Sequence, residues 1–240
     1  MICLSFDTDH MDEARMGEFL DVVPIPGAAT FFCTQPYECL EATGHEIGPH
    51  PTLEPGMDWD AELQARRRQF PEATGWRAHS CLFSHMLALQ LAQLGYVYAS
   101  THDDFGGSSP APQRVAWGIW QIPIYYADNL DFSTPRFWPQ LEWEPFAPDL
   151  IDRAVRDAQG VYVFDFHPVH LLLNTPQADY YLERREPFRE GAPLEELRFD
   201  AHGTRSFYDD LLSEMQRNEL VSLSIAEALE LSVLVMGADA

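Results

Sequence analysis

The chain has 240 residues, 46% hydrophobic and 12% aromatic, which suits one sizeable packed domain and excludes a disordered chain. Its 38 acids face 15 arginines and no lysine, for a net charge of −23; this excludes nucleic acid and anionic membranes as partners, and any lysine Schiff-base or P-loop chemistry. No apolar run reaches the roughly 18–20 residues of a membrane helix, and "MICLSFDTDH" lacks a basic n-region and a cleavage site, so a cytoplasmic protein is expected.

The predicted elements alternate along the chain. "ICLSF" (2–6) reads as a strand and "DEARMGEFLDVV" (12–23) as a helix opened by acids. "AATFFCT" (28–34) is a second strand rich in β-formers, and "HEIGPH" (45–50) a short third. "WDAELQARRRQF" (59–70) is helical, with Asp58 or Asp60 as N-cap. "GWRAHS" (75–80) is a fourth strand, followed by the helix "SHMLALQLAQLG" (84–95), which Gly95 closes. Further strands are "YVYAS" (96–100) and "VAWGIWQIPIYY" (115–126). The helix "FAPDLIDRAVRDAQG" (146–160) precedes the buried strand "VYVFDFHP" (161–168). Residues 171–203 read as long, polar and irregular, suited to a wall or lid of a site. A helix over 204–218 and a strand running into a helix over 220–231 end the chain.

This alternation predicts an α/β fold, a parallel sheet with helices outside, and the number of units favours a barrel over an open sheet. No linker or repeat divides it, so residues 1–240 are expected to form a single domain. The four cysteines, Cys3, Cys33, Cys39 and Cys81, show no CxxC pairing and read as free thiols.

In parallel barrels catalytic groups gather at the C-terminal strand ends. Three strands here end in polar residues: "SFDTDH", "WRAHS" and "VFDFHP". Residues two apart on a strand share a face, so Asp7 with Asp9, Arg77 with His79, and Asp165 with His167 are three same-face pairs able to meet in one cavity.

In order and spacing, "LSFDTDH" (4–10), "GAATFF" (27–32), "GHEIGPH" (44–50), the arginine of "WRAH" (76–79) and "FHP" (166–168) resemble the motifs of the polysaccharide deacetylases, the NodB-homology carbohydrate esterases. The resemblance implies a distorted (β/α) barrel of about seven parallel strands. It also implies one divalent metal ion, with Zn²⁺ expected, and hydrolysis of an N-acetyl group on a sugar or glycan, as in O-antigen-type polysaccharide biosynthesis. In that pattern Asp7 is the catalytic base and Arg77 orients it and favours its carboxylate form. His167 is the general acid, and Asp9 and His50 bind the metal. Amide hydrolysis needs such a set: a base for water, a charge to hold the oxyanion and a proton for the leaving amine.

Two departures stand out. The family's second metal-binding histidine falls at Glu54, between Pro51 and Pro55, and the proline two residues after the arginine is His79. His79 shares a face with Arg77, so Asp9, His50 and His79 form the expected metal set, with Glu54 the alternative third ligand. His45 is expected to be structural, His10 to face away, and His170 to line the site or support it. Asp128 reads either as a cavity residue or as a turn aspartate. Trp117, Trp120 and Trp138 read first as aromatic core and second as platforms for sugar rings. Two other functions stay open: hydrolysis of another non-peptide C–N bond, such as a cyclic amide, on the same barrel, and a silent barrel that binds glycan.

Overall fold

A strand covered on both faces reads as an unbroken apolar run, because neither side meets water. In the computed structural model, which describes residues 1–157 and 159–238, β1 (Ile2–Asp7), β2 (Ala29–Cys33) and β8 (Tyr162–Phe166) are such strands, buried at every position. The others are β3 (Glu46–Pro49), β4 (Gly75–Trp76), β5 (Tyr98–Asp103), β6 (Gln113–Arg114) and β7 (Trp120–Ala127). Seven are parallel and run β3-β2-β1-β8-β7-β5-β4 around a nearly closed barrel, while β6 lies antiparallel on β7. The expected barrel of seven parallel strands is therefore present, with helices surrounding it.

The seam between β3 and β4 has no regular ladder. It is drawn together by the Arg77 N–H to Pro49 O (3.4 Å) and the His79 N–H to Pro51 O (2.9 Å). Gly75 is required there for space: a Cβ on it would lie 2.2 Å from the ring of Tyr98.

Along each strand the inward residues change character with height. On β1 they run Cys3, Ser5, Asp7, and on β8 Val163, Asp165, with His167 next beyond the strand. The lower interior is apolar. Cys3, Phe32, Tyr98, Ile122 and Val163 pack there against Ile225, Ala228 and Leu229 of the closing helix (Ile225–Ala238), which plugs the barrel. The polar end faces the other way, and the pairing register sets Ser5 level with Asp165.

Helix caps follow the sequence. Asp12, Asp58 and Ser84 accept the backbone N–H of Arg15, Ala61 and Leu87 at 2.8, 3.1 and 3.1 Å. Gly95 takes φ 83° beyond its helix, the left-handed conformation that glycine adopts freely. All four cysteines are free. Among the described residues no helix is long and apolar enough to cross a membrane.

Three local readings are corrected and one helix is added. The stretch 171–203 is largely helical, with helices Pro168–Leu173, Ala178–Arg189 and Leu194–Leu197. The added helix, Asp128–Phe137, follows β7. The predicted strand over 115–126 begins with a 3₁₀ turn, Ala116–Gly118. The strand over 75–80 stops at Trp76 and gives way to a 3₁₀ turn, His79–Cys81, with Ser80 and Cys81 at φ 57° and 52°.

Candidate functional site

Arg77 is the hub of the polar end. It is fully buried, and a buried guanidinium is tolerable only when its donors and its charge are matched. Its Nη1 donates to Asp7 Oδ1 (2.9 Å), to Ser5 Oγ (3.0 Å) and to Asp165 Oδ1. Its Nε and Nη2 donate to the backbone oxygen and the hydroxyl of Ser100, at 2.7 and 2.8 Å. Phe32 lies under the guanidinium, 4.3 Å from its ring centre. Burial lifts the Asp165 carboxyl to about 7, against the pull of Arg77.

Above this hub stand two histidines and Asp9. His50 is buried, and its Nδ1 lies 3.1 Å from the Arg77 carbonyl. A carbonyl only accepts, so the Nδ1 proton points to it, and Nε2 faces Asp9 Oδ2 at 3.2 Å and Asp7 Oδ2 at 3.7 Å; burial opposes a second proton, but the two carboxylates outweigh it and raise the imidazole, which then donates to Asp9. His79 is half exposed and brings Nδ1 to 3.3 Å from the Asp9 carboxylate. Burial opposes charge on Asp9, but the hydrogen bonds from His50 and His79 outweigh it and hold the carboxyl well below the usual range.

One ligand atom from each of Asp9, His50 and His79 lies within 4.8 Å of the other two. Two imidazoles and a carboxylate, open to a cavity on one side, are the donor set of a Zn²⁺-type ion with a free coordination position. The bond from His50 to the Arg77 carbonyl is the kind that orients a ligating histidine. These residues therefore fit a divalent metal.

Asp128, His167 and His170 form a second close group, but its donors are already engaged. Asp128 accepts the His167 backbone N–H at 2.9 Å and its Nδ1 at 2.7 Å. Burial works against a charged His167, and Asp128 overcomes it, raising the imidazole to about 10. His167 Nε2 then faces Asp9 Oδ2 at 3.6 Å. Burial drives His170 the other way, to about 3; its Nδ1 lies 3.1 Å from Thr175 Oγ1. The second group is thus a proton-holding pair with a neutral neighbour.

A cavity of about 310 Å³ is lined by Asp7, His50, His79, Asp165 and His167, with Ser80, Cys81, Asp103, Ile124, Ala127, Asn129 and Leu130 completing its wall. Each of the three same-face pairs of the sequence sends at least one member to this wall: Asp7, His79, and both Asp165 and His167. Arg77 and His79 part company, contrary to expectation, since the strand has ended and Arg77 lies buried beneath while His79 stands at the rim.

Glu54 is exposed and absent from both close groups among the described residues; its backbone oxygen accepts from Trp59. His45 sits apart, its ring 5.5 Å from Phe31. His10 is exposed, 6.1 Å from the Tyr181 ring. The tryptophans divide: Trp117 and Trp138 are exposed, against the core reading, while Trp120 is half buried and packs against the apolar cluster of Cys3, Tyr98 and Ile122. Asp128 is neither a cavity-wall residue nor a turn aspartate: it is fully buried in the first turn of a helix and holds His167, and the sequence signal was a carboxylate directly after a buried strand. Ser5 and Ser100 carried no signal, since a serine within a strand has no stated partner.

The family model for WbmS-like polysaccharide deacetylases matches residues 4–185. A Bordetella bronchiseptica protein, assigned to the polysaccharide deacetylases of O-antigen biosynthesis, superposes with TM-score 0.72 at 21% identity, covering 90% of each chain. A Mycobacterium smegmatis protein assigned to the polysaccharide deacetylases covers 92% of this chain and 91% of its own at 17% identity and TM-score 0.47. No curated protein matches the chain.

Proposed function

The chain belongs to the WbmS-like polysaccharide deacetylase family, and on that premise we propose that it is a metal-dependent hydrolase removing an N-acetyl group from a sugar or glycan intermediate of surface polysaccharide, of the O-antigen type. The catalytic unit is one domain, 1–240. The observation that carries the reading is the close grouping of Asp9 with His50 and His79, the two histidines lining the cavity that also holds Asp7 and His167.

Asp9, His50 and His79 hold a divalent ion, Zn²⁺ first among candidates, which supplies Lewis acidity toward the amide carbonyl and toward water. Asp7 is the base. Arg77 and Ser5 fix one side of the polar floor, leaving Asp7 Oδ2 toward the cavity to take the proton of the attacking water. His167, held protonated by Asp128 on Nδ1, donates from Nε2 to the nitrogen as the C–N bond breaks. Water adds to the carbonyl carbon, acetate leaves, and the sugar amine takes the proton.

Metal analysis and acetate release test this directly. We expect about one divalent ion per chain, lost in Asp9→Ala and His50→Ala, with acetate released from an N-acetylated sugar, nucleotide sugar or glycan. Asp7→Asn is expected to keep the ion and lose turnover by about 10²–10⁴-fold. Equal metal retention in Asp7→Asn and Asp9→Asn would reverse their assignments. Opening of a cyclic amide without acetate would replace the reading with another C–N hydrolase, and a chain binding no metal at any stoichiometry would leave a glycan-binding barrel.

A further inference from the structure

Two neighbouring strands break the alternation that governs the rest of the barrel. On β5 the inward residues begin with Tyr98, packed in the lower interior, and Ser100, which holds Arg77. Period two would turn Asp103, three residues beyond Ser100, to the outside. Between Ala99 and His102, however, the pairing of β5 with β7 slips and leaves one extra residue on β5. β7 carries an extra residue of its own against β8, between Ile124 and Tyr126. Tyr125 and Tyr126 consequently both pack on Phe164, while Ile124 and Ala127, again three apart, both reach the cavity. A bulge disrupts its ladder locally and re-aims the side chains beyond it, which is why bulges gather beside functional sites.

The side chain that the bulge in β5 delivers to the cavity is Asp103, level with Ile124. Every other acid and histidine of the wall is engaged: Asp7 and Asp165 by Arg77, His50 by the Arg77 carbonyl, His79 by Asp9 and His167 by Asp128. Asp103 accepts no hydrogen bond and joins no ion pair among the described residues. Its carboxyl is open to solvent on one side; burial on the other lifts it above the usual range, against the pull of Arg77. Its charge also adds to burial in raising the Cys81 thiol on the same wall.

The cavity, about 310 Å³, lies at the lower end of small-molecule sites, roughly 300–1,000 Å³, and has room for one sugar unit. A carboxylate only accepts, and the hydroxyls of a sugar ring are donors that match it. A second carboxylate brought into the same cavity meets like charge. Asp7 and Asp165 deepen that field, because one guanidinium serves them both.

We propose that Asp103 is a specificity-determining residue: it accepts hydrogen bonds from hydroxyls of the sugar unit in the cavity and turns away a unit that carries a carboxylate. The unit acted on is then an uncharged N-acetylated sugar and not a uronate. This deepens the N-deacetylase reading and rests on it for the reaction, but not for binding.

The test uses the Zn²⁺-loaded chain and two probes, the methyl glycoside of N-acetylglucosamine and the same compound oxidised to its 6-carboxylate. Calorimetry follows their binding to the wild type, Asp103→Asn and Asp103→Glu, and acetate release gives kcat and KM in parallel. We expect the wild type to bind the neutral probe about tenfold more tightly, the size of one charge-assisted hydrogen bond. Asp103→Asn keeps the shape and loses the charge. It should bind the neutral probe less tightly and the acidic one more tightly, so that the preference disappears, and KM for the neutral probe should rise with kcat unchanged. Asp103→Glu, which restores the charge, should restore the preference. An acidic probe bound by the wild type as tightly as the neutral one overturns the proposal, as does failure of both probes to bind. A preference that survives in Asp103→Asn overturns it too, and so does a kcat that falls there while KM stays put. Discrimination that depends on Asp103, with no acetate released, sustains the specificity role and removes the N-deacetylase reading alone.

Discussion

The two ends of the barrel interior are built from the same strands and obey opposite rules. At the lower end Cys3, Tyr98 and Val163 meet the plug of Ile225, Ala228 and Leu229, where only volume and shape matter. Two residues further along those strands, Ser5, Ser100 and Asp165 surround Arg77, where every donor is assigned. The apolar end can lose a methyl group and still close around the space. The charged end cannot lose one partner without stranding another. Stability is thus graded along the barrel axis, and chemistry is confined to the end where substitution is least forgiven.

The largest expected effect breaks the charged end. Arg77→Ala leaves Asp7 and Asp165 facing each other in a buried pocket and is expected to cost about 3–5 kcal/mol, read as a shift of the denaturation midpoint, with activity abolished. An unchanged midpoint would mean that the two ends do not differ as described. At the apolar end Leu229→Ala is expected to cost about 2–5 kcal/mol through transfer and cavity terms, while kcat at a temperature well below melting stays unchanged. A fall in kcat without loss of stability there would tie the plug to the site.

Asp128→Asn sharpens the contrast within the charged end. In the proposed mechanism His167 acts as a cation, so activity would be present below its pKa and lost as pH rises through it. With Asp128 that pKa stands at about 10; without it the alkaline limb of kcat should move down toward the ordinary histidine value of about 6.5. A limb that stays in place would separate Asp128 from proton holding. The smallest effect concerns His170. Burial drives its folded pKa down to about 3, so below about pH 6.5 the unfolded chain binds a proton that the folded chain refuses, and stability falls with acid. His170→Phe should flatten the acid side of the stability curve, measured by urea melts between about pH 4 and 7.

Buried runs were the most readable part of the sequence. "ICLSF" and "VYVFDF" could be little else than strands covered on both faces, and the polar residues at their ends pointed to a common cavity. Alternation gave the height and face of Asp7 and Asp165 but said nothing of partners on other strands. That is why Ser5, Ser100 and the grip of Asp128 on His167 emerged only in three dimensions. The helix over Ala178–Arg189, "ADYYLERREPFR", was hidden because charges lie all around it and Pro187 sits inside it, which blurs the apolar stripe that marks a helix. His79 reached the cavity by a route that period-two reasoning did not contain, since the strand ends at Trp76 and His79 opens a 3₁₀ turn.

The open seam between β3 and β4 would give the proposed metal a second office. His50 hangs from one lip and His79 from the other, so an ion gripping both would be a clasp across the weakest join of the cylinder. Loading and closure become a single equilibrium, in which an ion at a hundred times its dissociation constant adds about 2.7 kcal/mol to the folded state. Chelation would then loosen the barrel's wall as well as silence its chemistry, first along the line where the hoop was never fully joined.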